Sequence, residues 1–276
     1  MLVTDAAPAD GSPTAAPPYP IHPERIPPDS FRAGPYTVRW ARDDADLDAV
    51  LDLRFRIFNL ELGEGLSESF ATRRDRDPFD AWCHHLMVSD AETDQIVGTY
   101  RAHTLPMAEA GLGWYSNTLF DLSTLPADVI AHAAETGRAC IAAHHRNGRV
   151  LYLLWKGLAN YLVHNDCDHM FGCTSLTSQD PEEGLAVLDW LDANGYVHPS
   201  WRVDPQPDHV CAVDIEHSIS TMPHVHIPQL MRIYLHHGCK VLGPPAIDRA
   251  FKTIDFLTIL PIRDMEERVR RKLFGG

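Results

Sequence analysis

Residues 135–164 read ETGRACIAAHHRNGRVLYLLWKGLANYLVH. Glu135–Ala143 suits a strand, and a polar turn, His144 to Arg149, leads into a helix from Val150 to about His164. That helix is apolar almost all round, through Leu153, Leu154, Trp155, Leu158 and Leu162, so it must lie between layers. Downstream, a strand at His169–Cys173 and a helix at Glu182–Ala193, closed by Asn194-Gly195, extend the pattern to βαβα. Upstream, Tyr36–Trp40 alternates as a strand, and Asp43 or Asp44 caps a helix to about Asn59. Runs at His85–Ser89 and Ile96–His103, joined by Asp90–Asp94, predict a hairpin. Residues 104–128 are irregular. The tail predicts an amphipathic helix (Pro228–His237), a strand (Ile254–Leu260) and a basic helix (Asp264–Phe274). The whole is an α+β chain: a central mixed sheet with helices on both faces.

Composition narrows the function. The chain has 276 residues and a net charge of −14, which argues against a nucleic-acid partner. No run of about 18 apolar residues is present to span a membrane, and the N-terminus has neither the basic start nor the apolar stretch of a secretory signal. A cytoplasmic protein is expected. Residues 1–35 hold nine of the 21 prolines and read as a flexible arm. Residues 36–262 form the main domain, and 263–276 the basic helix. Six cysteines lack a C-x-x-C, so no disulfide framework is expected. The histidines cluster (His84-His85, His144-His145, His224-Val225-His226, His236-His237) without the spacing of a metal site, and no metal is expected. One residue stands out on physical grounds. Arg54 falls on the apolar stripe of the first helix with Leu47, Val50, Leu51 and Phe58, so it must meet an acid from elsewhere.

Separated motifs then line up in order. They include Arg54-x-Arg56-x-Phe58, Asp77-x-x-Asp80, Cys83-x-His85-Leu86-x-Val88 and Val97-Gly98-Thr99-Tyr100-Arg101. Further on stand Trp114-Tyr115-Ser116, Phe120-Asp121-Leu122-Ser123 and Glu135-Thr136-Gly137-Arg138-x-Cys140-Ile141. Leu153-Leu154-Trp155-x-Gly157-Leu158, Met170-Phe171-Gly172-Cys173-x-Ser175-Leu176 and Ile247-Asp248-Arg249-x-Phe251-x-Thr253-x-Asp255 complete the set. In this order the chain resembles the acyl-carrier-protein-dependent N-acyltransferases of the GNAT superfamily. The nearest type is the ornithine lipid synthase (hemolysin-like) group; N-acyl amino acid synthases and acyl-homoserine-lactone synthases are more distant.

The resemblance implies a GNAT-like acyl-CoA N-acyltransferase fold. It also implies transfer of a long-chain acyl group, with or without a 3-hydroxyl, from an acyl carrier protein thioester to the α-amine of an amino acid such as ornithine. No permanently bound cofactor is implied; acyl-phosphopantetheine is a substrate, on carrier protein in preference to coenzyme A. Glu135 would handle the amine proton. Arg138, three residues on, reaches the same cleft only if the strand bulges there. Arg54, Asp77, Asp80 and Arg101 match a charged set that either orders the loop over the acyl channel or binds the acceptor's cationic end. Arg146, Asn147, Gly148 and Arg149 would receive the phosphopantetheine at a helix N-terminus. An acidic enzyme docking an acidic carrier needs a local basic face. Candidates are Arg73-Arg74-x-Arg76, the Arg146/Arg149/Lys156 group, and Arg268-x-Arg270-Arg271-Lys272; the last, with Val269, Leu273 and Phe274, also suits peripheral contact with anionic membrane at the inner face. Three alternatives stay open: another amine acceptor (a sphingoid-type amine or a signal precursor), a non-catalytic acyl- or carrier-binding module, and a histidine-based metalloenzyme.

Overall fold

In the computed structural model, residues 18–212 and 225–275 are described. Residues 1–17 of the arm and His224 lie outside them. Strands β1 (Phe31–Ala33) and β2 (Tyr36–Trp40) precede helices α1 (Asp44–Arg54) and α2 (Ser69–Thr72). Next come β3 (His84–Asp90), β4 (Ile96–Thr104), α3 (Leu105–Ala110) and α4 (Ala127–Ala131). Strand β5 (Ala133–Ile141), helix α5 (Arg149–His164), strand β6 (His169–Leu176) and helix α6 (Pro181–Ala193) follow. The chain continues as α7 (Gln229–His236), β7 (Lys240–Val241), β8 (Ala246–Asp248), β9 (Thr253–Pro261) and α8 (Glu267–Phe274).

These strands form a single sheet in the order β1-β2-β3-β4-β5-β6-β9-β7, with β8 also on β9. Only β5 and β6 pair in parallel, as strands joined through a crossover helix do. Alternation along β3 separates two layers. Leu86 and Val88 join the core under α5, whereas Met87 packs with Val50 of α1 on the opposite face. Asp43 caps α1 by accepting from the Asp46 N–H at 2.9 Å. The helix then widens into a π-helical stretch, Phe55–Glu61. Gly157 lets α5 lie directly on β3, since a Cβ there would stand 2.7 Å from the Leu86 side chain.

Two expectations change. The proline-rich segment is not loose from residue 18 onward: β1 pairs with β2, and Ile21 and Ile26 are buried. His84 fastens it, its Nε2–H donating to the Ile21 carbonyl while Nδ1 accepts from the Tyr161 hydroxyl. The basic tail helix is likewise docked. Leu273 is buried, Val269 and Phe274 pack against the same core, and Lys156 donates to the Leu273 carbonyl. The apolar face that a lipid contact would use is therefore spent inside the protein. No helix among the described residues is long and apolar enough to cross a membrane.

Burial pushes the His84 and His85 imidazoles down to about 3 and about 4. The unfolded chain takes up these protons below about pH 6.5, while the folded chain refuses them until near pH 4 and below. Stability should thus be full above about pH 6.5 and fall as the pH drops toward 4, read as the urea midpoint. His84→Gln should be less stable at neutral pH and show a shallower acid dependence.

Candidate active site

Strands β5 and β6 stay in register for only three pairs, ending at Glu135 opposite Phe171. Their next residues touch so closely that a Cβ on Gly172 would lie 2.1 Å from the Thr136 carbonyl oxygen. Beyond that point the strands part, and a cavity of about 320 Å³ fills the wedge, walled by residues 136–139 on one side and 172–175 on the other. Residues of β5 past Glu135 therefore have no β6 partner for their backbone groups. One arm of the cavity is apolar, formed by Tyr100, Trp155, Met170, Met231, Tyr234 and Leu260. The other is polar, with Glu64, Tyr115, Arg138, Thr177, Thr253 and Asp255.

The bulge needed to turn Arg138 inward is present. Thr99 faces Cys140 and Arg101 faces Gly137, so β5 carries an extra residue across this step. Arg138 takes the left-handed conformation there, with φ 52°. Its guanidinium lies 3.6 Å over the Phe251 ring and 4.9 Å from the Tyr115 ring centre, and both Arg138 and Glu135 line the cavity.

Glu135 is buried on β5, and its carboxylate accepts from the Tyr115 N–H at 2.8 Å and the Ser116 N–H at 2.6 Å. These are the opening N–H groups of the turn Tyr115–Thr118, which as a helix start attracts negative charge. The motif Trp114-Tyr115-Ser116 thus serves to hold Glu135. Across the strand pair stands His103, its Nδ1 3.5 Å from Glu135 Oε2 and its Nε2 3.3 Å from the Gly113 carbonyl. Burial lowers the His103 pKa, with the Glu135 charge working against that.

The acid that Arg54 requires comes from two residues. Fully buried Arg54 donates to Asp75 at 2.8 Å and to Asp80 at 2.6 Å. Of the two candidates, Asp77 and Asp80, only Asp80 meets Arg54, and Asp75 joins it unforeseen. Asp77 faces the other way, accepting from Arg101 and Arg138 at 2.7 Å each, and Arg101 also reaches Asp80 at 2.9 Å. Asp77 and Asp80 cap the turn Pro78–Trp82 as well. Three arginines and three aspartates therefore close a charge-balanced, almost wholly buried cluster. Burial alone would raise the Asp77 carboxyl, but Arg101, Arg138 and Arg54 outweigh it and hold it well below the usual carboxylate range. These carboxylates tie the 75–80 turn to α1 through Arg54, to β4 through Arg101 and to β5 through Arg138.

The expected phosphopantetheine residues lie apart from the cavity lining, at the outer end of β5. Gly148 takes φ 81° before α5, and Asn147 Oδ1 accepts from the Arg149 N–H at 3.1 Å. Arg146 is held by Glu61, at 2.9 Å for one pair, and by the Ile141 carbonyl. Among the basic groups, Arg74 is tied to Asp48 and Asp52, while Arg268, Arg270 and Lys272 are exposed on α8 beside α5. His145 bonds the Tyr36 hydroxyl, and no three His, Cys, Asp or Glu side chains among the described residues converge as metal ligands would. Sequence reading left Asp255 as a motif position without a role. It lines the polar arm on β9, 3% exposed, and burial pushes it up to about 7, opposed by the Ser175 and Thr253 hydroxyls. The signal was available: an acid inside the otherwise uncharged strand run Ile254–Leu260.

A profile described as "Acetyltransferase (GNAT) domain" matches residues 53–156. The chain is 33% identical to an L-ornithine N(alpha)-acyltransferase of Rhizobium meliloti over 83% of its own length and 81% of the relative's. It is 34% identical to one of Brucella abortus, over 86% and 88%. Among solved structures, the AHL synthase LasI superposes with a TM-score of 0.47 at 13% identity, covering 87% of this chain and 95% of that one. FeeM, an N-acyl amino acid synthase from uncultured soil microbes, gives 0.44 at 10%, covering 86% and 94%.

The cluster makes a stability prediction. Arg54→Ala strands two buried acids and should cost about 3–5 kcal/mol in urea unfolding. Arg74→Ala, at an exposed pair, should cost less than about 1 kcal/mol.

Proposed function

The chain belongs to the family of L-ornithine N(alpha)-acyltransferases and is an N-acyltransferase of the GNAT type; from that premise we propose that it transfers a long fatty acyl chain from acyl carrier protein to the α-amine of ornithine. The observation that carries this reading is Glu135: a buried carboxylate, fixed by two backbone N–H groups, at the point where the sheet opens into a cavity with one apolar and one polar arm.

The chemistry assigns roles to residues. The acceptor arrives as an ammonium and must lose a proton before its nitrogen can attack the thioester carbonyl. Glu135 takes that proton, and the neighbouring imidazole of His103 shares the charge. The tetrahedral oxyanion is met by β5 backbone N–H groups that have no β6 partner. Collapse breaks the C–S bond, the nitrogen gives up its second proton, and the carrier leaves as a thiol. Arg138 offers the acceptor's carboxylate the edge of its guanidinium that Asp77 leaves free, since its Nε is buried without a partner. The acyl chain occupies the apolar arm along Trp155, Tyr234 and Leu260.

Two features support carrier protein over coenzyme A as donor. The turn before α5 has one glycine, Gly148, and one of its arginines, Arg146, is already neutralised by Glu61. The exposed cations of α8 sit beside α5 on an otherwise acidic molecule, where an acidic carrier would dock.

Glu135→Gln keeps the shape of the side chain and removes its basicity, so kcat should fall about 100-fold or more with little change in carrier binding. Free thiol release from acyl carrier protein in the presence of ornithine is the assay; full activity would remove Glu135 from the proton-transfer role. Product mass spectrometry with other amines distinguishes another acceptor. In a second test, the double variant Arg268→Glu with Arg270→Glu should raise KM for acyl carrier protein about tenfold and flatten its salt dependence, with kcat nearly unchanged.

A further inference from the structure

Three carboxylates line the cavity: Glu64, Glu135 and Asp255. Glu135 has its two backbone N–H groups, and Glu64 accepts from the Thr177 hydroxyl. Asp248, outside the lining, accepts from the N–H groups of Ala250 and Phe251 and from the Tyr115 hydroxyl. Asp255 differs. It is 3% exposed, its Oδ1 has no hydrogen-bond partner, and no Lys or Arg among the described residues pairs with it. The two arginines on the cavity wall, Arg101 and Arg138, are turned toward Asp77. A buried carboxylate left without a cation is costly unless a ligand supplies one.

We infer that Asp255 is the subsite for the distal ammonium of the acceptor, and so the residue that selects a diamino acid over a neutral one. This deepens the acyl-transfer reading and rests on it. Among the polar side chains of the cavity wall, Asp255 Oδ1 is an acceptor without a donor and Arg138 Nε a donor without an acceptor; the wall's other unmet donor, Trp155 Nε1, lies among apolar side chains. An amino acid with a cationic side chain satisfies both: its α-carboxylate on Arg138, its far ammonium on Asp255, its α-nitrogen toward Glu135. A neutral side chain of the same length leaves Asp255 unpaired in a dry site. Ser175, opposite Asp255 across the strand pair, and Thr253, two residues along the same face, supply hydroxyls to share the ammonium's remaining hydrogens. The carboxyl's raised pKa fits such a vacant partner, because an arriving cation favours the ionised form.

The test compares ornithine with norvaline, which has the same carbon skeleton without the terminal amine. In Asp255→Asn the ratio of kcat/KM for ornithine to that for norvaline should fall about 10–100-fold from wild type. Asp255→Glu, one methylene longer, should move preference toward the shorter 2,4-diaminobutyrate. Melting curves and circular dichroism confirm that the variants are folded. An unchanged ornithine-to-norvaline ratio in folded Asp255→Asn overturns the inference. Calorimetric titration of the whole enzyme with ornithine separates this from the reading beneath it. If wild type acylates no amino acid, the acyl-transfer reading falls, while loss of ornithine binding in Asp255→Asn would still support the subsite, and equal binding would sink it.

Discussion

Three guanidinium groups sealed against three carboxylates, all of them almost wholly buried, hold the active half of this protein together. Arg54 comes from α1, Asp75, Asp77 and Asp80 from one turn, Arg101 from β4 and Arg138 from the bulge of β5. Each element is fixed to the others by charge that has nowhere else to go. Such clusters are poor sources of net stability, because desolvating the ions offsets their attraction. Their strength is selectivity: any other packing of the helix, turn and strands leaves an uncompensated ion. The left-handed backbone at Arg138 is tolerated for the same reason, since Asp77 holds the side chain that the bulge turns inward.

That cluster also shows how far a sequence can be read. Arg54 on an apolar stripe demands an acid by physics alone, and the search window of nearby aspartates contains the right ones. Choosing among Asp75, Asp77 and Asp80 requires the path of a short turn, which no periodicity encodes. The long elements were legible because their patterns repeat: the all-apolar α5, the alternating β2, the hairpin of β3 and β4. Strands β7 and β8 have two and three residues, too few for any period to emerge. Prolines misled the reading of residues 18–35, where Ile21 and Ile26 were the overlooked sign of burial. The roles proposed for Glu135 and Arg138 came from resemblance, while the partners that hold them, the N–H groups of Tyr115 and Ser116 and the Asp77 carboxylate, depend on folds of the chain across tens of residues.

Charge is distributed as unevenly as the −14 total conceals. Many cations are consumed close to home: Arg39 by Asp46, Arg74 by Asp48, Arg146 by Glu61. What remains exposed on α8 stands out against an acidic surface. The same docking that buries Leu273 against α5 fixes where those cations point, so the tail's packing and its electrostatics are one design feature.

The parting of β5 and β6 has a consequence for what can pair with the sheet. An unpaired strand flank is ordinarily a template for another chain, and sheets protect their outer edges for that reason. Here the unpaired flank of β5 lies in the middle of the sheet, walled by β6 a short distance away. A strand entering from solvent would have to fit its side chains between β5 and β6. The protein thus keeps a hydrogen-bonding edge open for use without offering it to its neighbours.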